Sequence, residues 1–202
     1  MLPTTALSLL LISSAFAISP TQNVVTVSVP AGLEFHAICK AARIPCAIEL
    51  DLAAAGEPGA RGAFREQGAT VSEAMNRAIR RYPGHRWRFR QGILYVTPNA
   101  PDPSTPLDRA LGRSSFRESL ETLRAEFGPP AGFCASPHRA DPGPAPALKP
   151  LAFTLDGATP RAVLNAFLFR QGDAGWVAVR APSSGGRFVY CLDVMSYGTG
   201  PR

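Results

Sequence analysis

The sequence predicts an α+β protein built from two small β-α-β-β-α-β-β modules in tandem, each a set of helices packed on short sheets and stapled by a disulfide. Three observations predict it. Residues 68–90 (GATVSEAMNRAIRRYPGHRWRFR) read as a capped helix, a tight turn and a strand, and the pattern returns without a gap at residues 157–180. Gly68, Ala69, Thr70, Asn76, Arg81 and Trp87 fall on Gly157, Ala158, Thr159, Asn165, Arg170 and Trp176, while Met75 and Ile79 fall on Leu164 and Leu168. Such repetition sets the architecture before any single element is assigned. Apolar spacing also switches repeatedly between period two and period 3.6, the signatures of half-buried strand and amphipathic helix. Finally, the four cysteines divide evenly, two in each half.

Residues 1–17 (MLPTTALSLLLISSAFA) read as a signal peptide. A short apolar run from Ala6 to Ile12 leads to Ala15-Phe16-Ala17, an A-x-A signal that places cleavage after Ala17. The run is broken by Ser8, Ser13 and Ser14, and a membrane span needs ~20 apolar residues. No second run is long enough either, so the mature chain is expected in the periplasm or secreted, and not as an integral membrane protein. With 46% hydrophobic and 18% charged residues, the chain has the composition of a globular protein.

Export agrees with disulfide use of Cys39, Cys46, Cys134 and Cys191. Of the three possible pairings, the spacing favours Cys39–Cys46 and Cys134–Cys191. CKAARIPC suits a helix C-terminus tied to the next strand. Chain entropy assigns roughly 2.5 kcal/mol to the short loop and about 4 kcal/mol to the long one. Zinc would need clustered ligands, but His36, His85 and His138 are scattered, so no metal or other cofactor is expected.

The first module is expected over residues 18–97. Val24–Pro30 alternates as a strand, and Leu33–Ile44 follows as a helix with Leu33, Ala37, Ile38 and Ala41 on one face. Pro45 disfavours helix at Ile44. Cys46–Leu50 and Arg61–Glu66 are strands. Thr70 caps a helix from Val71 to Tyr82, with Glu73 completing a capping box. Val71, Met75, Ala78, Ile79 and Tyr82 form its buried stripe, Pro83-Gly84 ends it, and Arg86–Arg90 and Ile93–Thr97 form a hairpin around Gln91-Gly92.

VTVSVPAGLEFHAICKAARIPCAIEL followed by GATVSEAMNRAIRRYPGHRWRFRQGILYVTP resembles the short N-terminal domain shared by secretins and TonB-dependent transducers. The shared features are a strand ending in a VPAG-x-x motif before the first helix, the GATV-x-E start of the second, and a closing hairpin around W-x-F-x-x-G-x-L-x-V. The resemblance covers Val24–Pro98. It implies a periplasmic module that binds other envelope proteins, often by pairing sheet edges, and performs no chemistry itself. No barrel or secretin ring segment follows in this sequence, so neither a receptor nor a channel is implied.

Pro98–Pro106, with four prolines in nine residues, is expected to be a stiff, extended linker. In the second module (107–195), Ser114 or Ser115 caps a helix from Phe116 to Phe127. Ala131–Ala135 answers to the Cys46 strand, residues 137–150 form a proline-rich insertion, and Leu151–Asp156 is a strand. The repeated helix, Trp176–Arg180 and Arg187–Val194 complete the module. A first strand is not legible, because LDRALGR reads as a helical turn. Residues 196–202 read as a frayed tail.

No Ser/His/Asp arrangement, phosphate loop or usable carboxylate pair stands out, so no enzyme is expected. Glu118, Glu121 and Glu126 read as a solvated helix face and His36 as a helix-surface or packing residue. The charge that remains is basic: net +6 overall, +4 of it in residues 18–100. Period two places Arg86, Arg88 and Arg90 opposite Trp87 and Phe89, and Arg77, Arg80 and Arg81 extend the charge along the preceding helix. The plain reading is a solvated face kept polar by arginine. The functional reading is a docking surface for an acidic partner, since arginine favours forked recognition of carboxylate or phosphate. An envelope protein is the partner expected, and an anionic glycan or lipid headgroup is the alternative. Export argues against nucleic acid.

Overall fold

The computed structural model describes residues 19–55, 62–111, 114–117, 123, 126–127, 132–135, 152–155, 157–183 and 186–197. The expected leader (1–17) and the proline-rich insertion (137–150) lie outside them. In chain order the elements are β1 (Val24–Val29), α1 (Glu34–Ala42), β2 (Cys46–Asp51), α2 (Leu52–Ala55), β3 (Phe64–Thr70), α3 (Val71–Ile79), β4 (His85–Arg90), β5 (Ile93–Pro98), a 3-10 turn (Pro106–Asp108), β6 (Ser114–Arg117), β7 (Cys134–Ala135), β8 (Ala152–Leu155), α4 (Pro160–Gln171), β9 (Ala174–Pro182) and β10 (Phe188–Ser196). The class is α+β, as the sequence predicts.

Local chemistry accounts for the element ends. Thr70 accepts a hydrogen bond from the Glu73 N–H at 3.2 Å, and Glu73 accepts from the Thr70 N–H at 2.9 Å, closing the capping box at the start of α3. Thr159 accepts from the Ala162 N–H at 3.3 Å, with Pro160 in the first turn of α4, where its missing N–H is harmless. α1 stops at Arg43, which turns left-handed (φ 54°), before Pro45. Gln91 and Gly92 both take positive φ (52° and 77°), as a two-residue hairpin turn of the twisted type demands.

One six-stranded sheet, ordered β4-β5-β2-β9-β10-β7, runs through both halves of the chain. Within it β4-β5 and β9-β10 are antiparallel hairpins, and β2 and β7 join β5 and β10 in parallel. β2 and β9 pair in parallel from Cys46 opposite Gly175 to Asp51 opposite Arg180, uniting the two groups of three strands. The remaining strands form two antiparallel pairs, β1-β3 and β6-β8.

The sheet carries a core on each of its faces. Period two along β2 sends Cys46, Ile48 and Leu50 to one core and Ala47 to the other. In the first core, Phe35 and Ile38 of α1 and Met75 and Ala78 of α3 meet Leu94, Val96 and Val179. In the second, Val163, Leu164, Phe167 and Leu168 of α4 meet Ile93, Trp176, Leu192 and Val194. All four cysteines are paired, as Cys39–Cys46 and Cys134–Cys191. The first ties the end of α1 to β2. The second joins residues that face each other across β7 and β10.

Several expectations need correction. Ser114–Arg117 is not the cap and start of a helix but strand β6, with Phe116 opposite Phe153 of β8. It supplies the first strand that the second half was not expected to show, paired with β8 as β1 is with β3. Further on, Leu123, Glu126 and Phe127 are helical, and Leu123 and Phe127 are buried in the second core. The buried face of α1 is rotated from the expected one: Glu34, Phe35, Ile38 and Cys39 are inside, while Ala41 is exposed. α3 ends at Ile79, and a tighter turn carries the chain to Tyr82 through the bond from the Tyr82 N–H to the Ile79 carbonyl. The start of the expected tail is ordered as well. β10 reaches Ser196, and Tyr197 is buried in the first core.

Candidate docking edge

β4 owes its place to its neighbours. The Gln91-Gly92 turn folds it onto β5, and Trp87 and Phe89, both half-buried, pack against the first core. Trp87 donates its indole N–H to Asn76 of α3 at 2.8 Å. Trp176, its counterpart in β9, is wholly buried and donates to Asn165 of α4 at 3.2 Å. Of the two tryptophans only Trp176 is fully enclosed.

Among the described residues no strand pairs with the other side of β4, which is an end of the six-stranded sheet. In an antiparallel ladder closed by a two-residue turn, alternate residues bond inward. Arg90, Arg88 and Arg86 thus bond β5, and Trp87 and Phe89 aim their N–H and C=O at the open side. Arg86, Arg88 and Arg90 are exposed on the sheet face opposite Trp87 and Phe89. The Arg88 guanidinium lies 5.3 Å from the ring centre of Tyr95, its cross-strand neighbour. None of the ion pairs among the described residues involves these three arginines.

The helix arginines fare differently. Arg77 pairs with Glu66 of β3 at 2.5 Å, and this hydrogen-bonded carboxylate holds its guanidinium above the usual pKa. Arg80, the residue that caps α3, donates to the Asn76 carbonyl of that helix. Arg81 turns inward, with one nitrogen 3.1 Å from the fully buried Glu34 and another donating to the Gly62 carbonyl at 2.6 Å. The Tyr82 hydroxyl and the Gly32 N–H complete the shell around Glu34 at 2.7 and 2.8 Å. Arg81 is therefore a structural residue, and the exposed row reduces to Arg86, Arg88 and Arg90.

The arginines belong to this edge and not to the repeated pattern. At the corresponding positions of β9 stand Gly175, Val177 and Val179, and β9 lies mid-sheet between β2 and β10. Charge on an edge strand also guards it against aggregation, which is the plain explanation any docking role must exceed.

Sequence reasoning missed a second polar group, on the sheet face that carries the arginine row. Arg180 pairs with Asp51 at 2.8 Å and with Asp102 at 3.1 Å, and stacks on Phe188. Arg161 pairs with Glu49 and with Asp108, the latter at 2.7 Å. The Tyr190 hydroxyl donates to Asp102. That bond, with those from the Ser104 hydroxyl and N–H, holds the Asp102 carboxyl at a pKa of about 2. These groups come from β2, the 98–108 connection, α4, β9 and β10, so no local spacing could reveal them. The aspartates of the proline-rich connection were the one available hint. What the cluster does is fasten that connection across the joint between β2 and β9.

Of the histidines, His85 is buried and accepts the Asp51 N–H at Nε2 (2.9 Å). His36 packs 5.8 Å from the Tyr197 ring, and burial lowers its pKa. Among the described residues no group of three or more His, Cys, Asp or Glu side chains is placed to hold a metal ion, and no helix is long and apolar enough to cross a membrane. The chain matches no protein-family model, no curated protein and no solved structure.

Proposed function

We propose that the protein is a non-catalytic exported adaptor that docks on a cell-envelope protein through β4, its halves being two copies of one module like the secretin and TonB N-terminal domain. One observation carries this reading: the arginine strand and the open sheet edge, two separate candidates in the sequence, are the same strand. Backbone pairing supplies affinity at such an edge and the flanking side chains supply selectivity. Two disulfides suit an oxidising compartment outside the cytoplasm.

Changing Arg86, Arg88 and Arg90 together to Gln tests it. The triple variant is expected to melt with the wild type, since surface substitutions usually stay within about 0.5 kcal/mol each, and to lose retention of the envelope partner. Wild-type retention should weaken as salt rises, because exposed charges are screened beyond ~8 Å at physiological ionic strength. A folded triple variant that captures the partner fully would return the arginines to edge protection. Equal, salt-sensitive binding to purified peptidoglycan or lipopolysaccharide would replace the protein partner with an anionic polymer.

A further inference from the structure

We infer that β4 receives a parallel β-strand from its partner, carrying carboxylates at alternate positions against Arg86, Arg88 and Arg90. The inference rests on the docking reading above and adds the direction and chemistry of the incoming strand.

The molecule already contains one such joint. By sequence and by place, β9 corresponds to β4. Each donates a tryptophan N–H to an asparagine on the preceding helix, and each forms a hairpin whose second strand has a parallel neighbour. β4 keeps its outer side open, whereas β9 has filled the same side with β2. The filling strand runs parallel. It brings Glu49 and Asp51 two residues apart, hence on one face. Asp51 sits directly opposite Arg180 and pairs with it at 2.8 Å, and Glu49 pairs with Arg161 of α4. An edge of this type is thus completed by a parallel strand whose alternate carboxylates meet arginines.

β4 offers arginines at i, i+2 and i+4 on the sheet face that carries those pairs, which at β9 is the face of Trp176 and at β4 the face opposite Trp87. Residues two apart in any strand are separated by ~6.6 Å, so a row of alternate carboxylates would match the arginine row without adjustment. Each cross-strand pair of opposite charge favours this register over a shifted one. A second copy of the chain is a poor occupant. Its strand corresponding to β2 is β7, Cys134–Ala135 among the described residues, and the sequence that follows, Ser136-Pro137-His138-Arg139-Ala140, contains no carboxylate. Proline there cannot donate to a ladder, and Arg139 would repel the row.

The test uses the mature chain and two synthetic peptides of one composition, one alternating Glu with Val and Thr, the other with its Glu residues in a single block. The alternating peptide is expected to bind about tenfold more tightly. A spin label at its N-terminus should broaden the amide signals of His85 and Arg86, not those of Phe89 and Arg90. The arginine-to-glutamine triple variant, melting normally, should lose the preference. Equal binding of the two peptides, or broadening at Phe89 and Arg90, overturns the parallel acidic strand while leaving docking at the arginines intact. Failure of the wild type to bind either peptide overturns the acidic strand too, and partner capture by wild type but not by the triple variant would then still support the edge. A folded triple variant that retains the preference overturns the arginine role in both readings.

Discussion

The Glu34 carboxylate has no contact with solvent, and its charge is held by Arg81, Tyr82 and Gly32. Removing one partner of a buried ion pair leaves the other uncompensated, so Arg81→Gln should cost about 3 kcal/mol in chemical denaturation. Arg88→Gln, on the exposed row, should cost no more than about 0.5 kcal/mol. Two arginines seven residues apart look alike in the sequence, and burial alone separates them. Gly175 makes a similar point. A methyl group there would overlap the Tyr197 hydroxyl and lie 3.2 Å from its ring carbon Cζ, so Gly175→Ala should cost roughly 1–3 kcal/mol. Tyr197→Phe in the same chain should recover part of the loss; no recovery would mean that the clash lies elsewhere. Trp176→Ala should cost ~3–5 kcal/mol because the side chain is wholly enclosed. The half-buried Trp87 should cost about 2 kcal/mol, since less apolar surface returns to water.

Elements whose signals are local follow the sequence closely. Thr70 and Glu73 form their capping box, Gln91-Gly92 makes its turn, and Pro45 follows the end of α1. Thr70→Ala should accordingly lower stability by ~1 kcal/mol, and an unchanged midpoint would deny the cap its role. The miss at β6 has a physical cause. Ser115 precedes Glu118 by three residues, a helix-start pattern, but Ser114–Arg117 pairs with β8, which lies more than thirty residues away and carries no local mark. Cross-strand pairing overrode the local preference. The rotated face of α1 arises similarly. Ala41 and Ala37 are small enough to suit either side, whereas Phe35 and Cys39 are drawn inward by Tyr82 and by the bond to Cys46. As for the site, alternation in HRWRFR made the arginine row legible. Its place at the sheet edge depends on which strand pairs with β9, and no residue of β4 encodes that.

For the molecule as a whole, the governing fact is that β2 and β9 make one sheet of two halves, reinforced by Arg161, Arg180 and the Asp102 connection. Tyr197, from the end of the chain, fills the first core. The halves should therefore unfold in one transition, whether followed by tryptophan fluorescence or by backbone circular dichroism; two separated midpoints would mean that the joint is weak. Acid should loosen the molecule in two stages. His36 has its pKa lowered first by burial and then by Lys40, with Asp193 opposing. The unfolded chain then takes up a proton near pH 6.5 that the folded chain resists. Stability falls as pH drops below 6.5 and levels off once the folded-state pKa is passed. Asp102 acts in the same direction at lower pH. Its carboxylate, favoured by the Tyr190 and Ser104 donors, keeps a pKa of about 2 against an ordinary 3.8. Its contribution is complete above the ordinary value and is lost as pH falls toward 2. Denaturant midpoints measured from pH 7.5 to 2 should show both declines. His36→Gln should remove the first and leave the second, and Asp102→Asn should do the reverse. If Asp102→Asn leaves the acid limb unchanged, the connection is not fastened to the sheet through that carboxylate.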